Sequence, residues 1–327
     1  MISFISESGH DPTLRALAWL NGIASGSGSR GRLFVLIYHQ VMDRPDPMRK
    51  EELDVSRFSV HMDLLARYFN VLPLDHAIRM LKAGRLPARS VSITFDDGYR
   101  NNYTNALPVL EERGLTATFF IATGFLDGGR MWNDTVIEAF RSIPGESIHL
   151  PEIGLNEIAL TDADRRSEAA QGVIRAIKHL PYSERAEWVS RIGELAKPLP
   201  DDLMMTTGQV QDLRQRGMAI GGHTVNHPIL AKLDQRGAER EIVDGKEMLE
   251  GLLKEKLSLF AYPNGRKDQD YGEREIRIVE KCGFSAALTT NHGASARDTN
   301  AYELKRFTPW DRTRSRFMLR MARYYRM

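Results

Sequence analysis

Six short apolar runs, spaced by segments of helical pattern, constrain this chain more than any other feature. They are "LFVLIY" (33–38), "VSITF" (91–95), "TATFFI" (116–121), "GMAIGG" (217–222), "LSLFAY" (257–262) and "FSAALTT" (284–290). Several are apolar without polar alternation, as parallel strands covered on both faces require. Between them lie "SRFSVHMDLLARYF", with Ser56 as an N-cap, "TNALPVLEERG", closing on Gly114, and "EREIVDGKEMLEGLL". Strand followed by helix, repeated, predicts an α/β fold with a parallel sheet, open or closed into a barrel.

Residues 131–205 break this rhythm. "TDADRRSEAAQGVIRAIKHL" and "YSERAEWVSRIGEL" are helical in pattern and no strand is evident, so the segment is expected to be a helical insertion between two core strands. "SGSGSRGR" (25–32) has the composition of a flexible connector, which makes residues 1–32 an N-terminal segment and linker and 33–310 the compact domain. The tail "DRTRSRFMLRMARYYRM" (311–327) reads as a basic helix with Phe317, Met321 and Tyr324 on one face. Packing on the domain accounts for that face, and peripheral contact with an anionic membrane is the alternative.

At 327 residues and 42% hydrophobic content, the chain can bury a large core as one barrel or two domains. Its 45 basic and 43 acidic residues leave a formal charge of +2, so no global field points to nucleic acid as a partner. The single cysteine, Cys282, cannot form an intrachain disulfide. The first residues lack the basic start and unbroken apolar core of a signal peptide, and no run approaches the length of a membrane span. A cytoplasmic protein is expected.

In parallel α/β folds reactive groups collect at the carboxyl ends of strands, and "SITFDDGYRN" places Asp96 and Asp97 at such an end. Taken alone, an Asp-Asp-Gly string serves as well for a turn or a helix cap. "GGHTVNHP" adds His223 and His227 just after another strand, at a spacing expected to bring both imidazoles to one side of a helical turn. Two histidines and a carboxylate at strand ends make a three-ligand site with room for water, the pattern of a catalytic metal centre.

"TFDDGY", then "HTVNHP", then "FAYPNG" resembles the polysaccharide deacetylase family, carbohydrate esterase family 4, over roughly residues 33–307. The resemblance implies a distorted (β/α) barrel of about seven parallel strands and removal of N-acetyl groups from an N-acetylated carbohydrate, in cell-surface or exopolysaccharide metabolism. It also implies a divalent metal, commonly zinc, on Asp97, His223 and His227, and a general base at Asp96. Two adjacent carboxylates are tolerable beside a cation. The third motif departs from the family pattern. Ala261 stands where an arginine is common, and Arg306 in "LKRF" is the candidate to supply that charge, with a plain salt bridge as its other explanation. Asn264 stands where a tyrosine is common, and its backbone amide can still support an oxyanion.

The family's general acid is usually a histidine in a Leu-x-His motif late in the chain, which is absent. His39, directly after the first strand in "VLIYHQV", matches the circularly permuted biofilm deacetylases and is expected to be the acid, ahead of His292 in "TTNHG". Trp132 and Asn133 in "RMWND" open the insertion and suit either a sugar contact or an anchor for the segment. Two rivals stand beside the deacetylase. One is a metal-dependent amidase acting on a small non-sugar amide, and the other is a carbohydrate-binding domain without turnover. A two-carboxylate glycosidase is excluded, because adjacent residues cannot flank a glycosidic bond at about 5–9 Å separation.

Overall fold

The computed structural model describes residues 11–196 and 198–327. Six strands run parallel and pair in chain order. They are β1 (Phe34–Tyr38), β2 (Ser90–Phe95), β3 (Thr118–Ile121), β4 (Ala219–Gly222), β5 (Leu259–Ala261) and β6 (Ala286–Leu288). The short strand Asn70–Val71 adds to β2 as a seventh. Residues 304–307 join the two ends of this row: Leu304 N donates to Ala287 O at 3.0 Å, and Phe307 N donates to Val35 O at 2.9 Å. The result is a distorted (β/α) barrel, and every residue of β1 and β2 is buried, as all-apolar parallel strands demand.

Successive side chains point to opposite faces. Leu36, Tyr38, Ile93, Phe95, Phe119 and Phe260 join one cluster with the surrounding helices. Val35, Phe120, Leu259, Ala261, Leu288 and Leu304 form another with the helix Leu74–Lys82, filling the interior. Gly221 in β4 is required by close approach, since a Cβ there would meet the Phe120 ring at 2.5 Å.

The chain leaves the barrel between β3 and β4. Helices Trp132–Ser142, Ala163–Ile177 and Tyr182–Glu194 share a core of their own around Val136, Phe140, Val173, Ile177 and Ile192. The expectation of a strandless insertion needs correction. Ser147–Leu150 and Leu155–Ala159 pair as an antiparallel hairpin, whose short, half-exposed strands mix apolar and polar residues and offer no uninterrupted apolar run to read. Buried Arg49 ties the insertion to the barrel, bonding Asp134 and Glu138 at 2.8 Å each.

The expected flexible connector also differs. Gly28 N donates to Leu86 O at 2.7 Å and Leu33 N to Ser295 O at 2.8 Å, so residues 25–32 are held against the barrel. Glycine serves here for turning, with φ of 60° at Gly26 and 59° at Gly28. The preceding helix, Pro12–Ser25, packs on the helix Arg314–Tyr324, where Asn21 Nδ2 donates to Met318 O at 2.9 Å. Phe317, Met318, Met321 and Tyr325 are buried, so the apolar face of the basic tail is engaged in packing. Residues 1–10 lie outside the described residues. Among the described residues no helix is long and apolar enough to cross a membrane.

Candidate active site

The paired aspartates occupy the mouth of the barrel because the ladder runs one residue past β2 and then turns sharply. Asp96 N still donates to Tyr38 O at 3.0 Å. Asp97 then adopts φ 76°, a left-handed conformation that costs a non-glycine residue roughly 1 kcal/mol or more and persists only where its surroundings enforce it. The turn brings both carboxylates to one cleft and gives them different partners.

Asp96 meets Arg306. The guanidinium donates to both carboxylate oxygens at 2.7 Å and to Thr289 O at 2.9 Å, lies over the Phe120 ring, and is fully buried. Burial alone would raise the Asp96 pKa, yet the charge of Arg306 and its hydrogen bonds hold it below the ordinary carboxylate value. Arg306 reaches this position because residues 304–307 close the barrel.

Asp97 faces two histidines. Its Oδ1 lies 3.3 Å from His223 Nε2 and 3.4 Å from His227 Nε2, and one ligand atom from each of the three residues falls within 4.8 Å of the others. His223 follows β4 directly, with its N donating to Ile121 O at 3.2 Å. The expected helical turn between the histidines is not formed. Thr224 and His227 have φ of 65° and 50°, and Glu241 holds the loop open by accepting from Val225 N, Asn226 N and Asn226 Nδ2.

The donor set fits a cation. His223 Nδ1 stands 2.7 Å from Ala261 O, which can only accept, so the ring proton resides on Nδ1 and the Nε2 lone pair faces Asp97. Asp97 Oδ1 is buried without a hydrogen-bond donor. Lone pairs converging on an orphaned carboxylate oxygen suit a metal ion. Burial lowers the His227 pKa to about 4, which keeps that ring neutral and able to ligate. Burial also pulls on His223, but the charges of Asp96 and Asp97 raise its pKa.

His39 lines a cavity of about 660 Å³ together with Asp97, Tyr99, Glu52, Asn133 and Trp310. It lies within electrostatic reach of both Asp96 and Asp97. His292 stands elsewhere, exposed and edge-on to the rings of Phe307, Trp310 and Tyr324. Asn264 caps the loop after β5 at φ 59°, where Thr290 Oγ1 donates to its carbonyl at 2.6 Å.

Glu52 escaped the sequence analysis. Its Oε2 accepts from Gln40 N at 3.3 Å beside His39. Burial raises its pKa, and the charge of His39 is the leading opposing influence. Its setting in the charged run "RKEEL" resembles solvated surface, and no motif marks it. Glu241 and Arg49 were missed for the same reason.

A family model for polysaccharide deacetylases matches residues 83–152 and 186–287, together more than half of the chain. YxkH of Bacillus subtilis (strain 168), whose name carries the same family description, is 23% identical over 277 residues, covering 84% of this chain and 70% of that protein. Two solved structures share the fold. The Streptococcus pyogenes deacetylase PplD, in complex with acetate, superposes with a TM-score of 0.61 at 19% identity, covering 89% of this chain and 98% of that one. IcaB from Ammonifex degensii gives 0.57 at 20% identity, covering 93% and 99%.

Proposed function

The chain belongs to the polysaccharide deacetylase family, hydrolases of carbon–nitrogen bonds in N-acetylated carbohydrates, and on that premise we propose how its residues divide the work. Asp97, His223 and His227 hold a divalent cation, for which zinc suits two imidazoles and one carboxylate. When bound, the cation supplies Lewis-acid polarisation and activates water near neutral pH. Asp96 accepts the proton of the attacking water, and Arg306 fixes its orientation and keeps it ionised. The backbone amide of Asn264 donates to the developing oxyanion. His39 donates a proton to the departing amine, with Glu52 beside it to steady the ring. An acid contributed from the end of the first strand would correspond to the permuted arrangement, and His39, unlike His292, lines the cavity that Asp97 shares.

The observation that carries this reading is the convergence of two imidazole nitrogens on an Asp97 oxygen that no protein donor satisfies. The bidentate Asp96–Arg306 pair also argues for turnover over simple carbohydrate binding. The test is acetate release from N-acetylglucosamine oligomers, peptidoglycan fragments and small non-sugar amides, with and without chelator. Release from a glycan that chelator abolishes and zinc restores supports the assignment. Release from the small amides alone would transfer the chemistry to the amidase reading.

A further inference from the structure

The insertion holds a second cavity, of about 490 Å³, lined among others by Trp132, Thr135, Tyr182, Arg185, Ser190 and Asn226. Asn226 belongs to the loop between His223 and His227, so the cavity borders the loop that carries them. Arg185 is its unusual feature. It is only 5% exposed, and an arginine remains charged at any physiological pH. A buried cation is ordinarily paired, because leaving water costs several kcal/mol. Arg185 is not paired: its recorded hydrogen bond is one 3.4 Å contact from Nη1 to Lys178 O, and no carboxylate among the described residues acts on it.

The rings of Trp132 and Tyr182 lie 4.9 and 5.5 Å from its guanidinium carbon. Contact with two rings offers the guanidinium no acceptor for its N–H groups, and a guanidinium fork grips a carboxylate or phosphate through two oxygens. The surroundings reinforce positive charge. Arg130 lines the same cavity, bonded to Thr135 Oγ1 at 3.2 Å and to the Pro200 carbonyl. Lys178 lies within electrostatic reach of Arg185, Arg266 and Asp270. The one acid in the lining is Glu194, which has an interaction of its own.

We infer that this cavity binds an anionic substituent, a carboxylate or a phosphate, of the glycan whose acetamide lies at Asp97, gripped by Arg185 beside Trp132 and Tyr182. The glycan part rests on the deacetylase reading above; the anion part rests on Arg185 alone.

The test is calorimetric titration of the full-length, zinc-loaded protein with deacetylated ligands, which cannot turn over: muramic acid, glucosamine 6-phosphate and glucosamine. At least one charged ligand should bind about tenfold or more tighter than glucosamine, the scale of a charge-assisted bidentate contact. The stronger arm identifies carboxylate or phosphate. Arg185→Met should erase the preference, and Arg185→Lys, which keeps the charge but not the fork, should lose most of it. Equal binding of all three ligands by the wild type, or a preference that survives Arg185→Met, would overturn the inference. An anion preference in a protein that releases no acetate would uphold this site and sink the deacetylase reading, while acetate release without the preference would do the reverse.

Discussion

Two buried arginines set the barrel mouth against the insertion. Arg306 and Arg185 are 0% and 5% exposed, and each lies over an aromatic ring. Arg306 meets a carboxylate with two 2.7 Å bonds, whereas Arg185 has one 3.4 Å bond to a carbonyl. A matched buried pair holds a geometry; an unmatched buried cation is held ready for a ligand. The barrel therefore keeps its charges for chemistry within the chain, and the insertion keeps one for what enters from outside.

The comparison breaks most visibly if the matched arginine is removed. Arg306→Met should cost about 3–5 kcal/mol by denaturant unfolding, because Asp96 is left charged and buried. Adding Asp96→Asn should recover much of that loss. An unchanged unfolding midpoint for the single variant would show that the pair carries no energy. Next in size is His39→Ala, expected to slow acetate release by roughly a hundredfold while leaving metal content intact. His292→Ala should stay near wild type, and the opposite pattern would move the acid to the aromatic cluster around Trp310.

A smaller effect concerns acid stability at the barrel's outer seam. His61 is buried, stacked on Phe317 at 4.4 Å, and its Nε2 donates to Asp311 O at 3.1 Å. Burial lowers its pKa from 6.5 to about 4. Between those values the unfolded chain takes up a proton that the folded chain refuses. Its contribution is therefore complete above about pH 6.5 and is lost as pH falls towards 4. From about pH 7.5 to about pH 5 the wild type should lose about 2 kcal/mol more than His61→Phe in unfolding experiments. Equal losses would mean that the ring is hydrated. Smallest of all, Arg185→Met should change stability by less than about 1 kcal/mol or raise it, since an uncompensated charge is removed while the stem's packing is kept. A loss as large as that for Arg306→Met would erase the distinction between the two arginines.

The barrel strands were legible because burial on both faces writes an uninterrupted apolar run, as in "LFVLIY" and "VSITF". The hairpin at 147–159 was not, since strands exposed on most positions carry no such signature. Asp97, His223 and His227 stood out because they occur in compact motifs that the structure brings together. Arg49 with Asp134 and Glu138 joins positions far apart in the chain with no motif at either end, and Glu52 beside His39 lies in a charged run that no motif marks. Glycine and serine at 25–32 were read as slack by composition, whereas the local need was for positive φ and close approach to Leu86.

The barrel is closed by the segment that carries Arg306, and this has a consequence for the order of synthesis. Asp97, His223 and His227 all precede residue 306 in the chain. Asp96 has no countercharge until that residue is made. The last segment of the barrel to be made is thus the one that supplies the countercharge of Asp96 and closes the barrel around it.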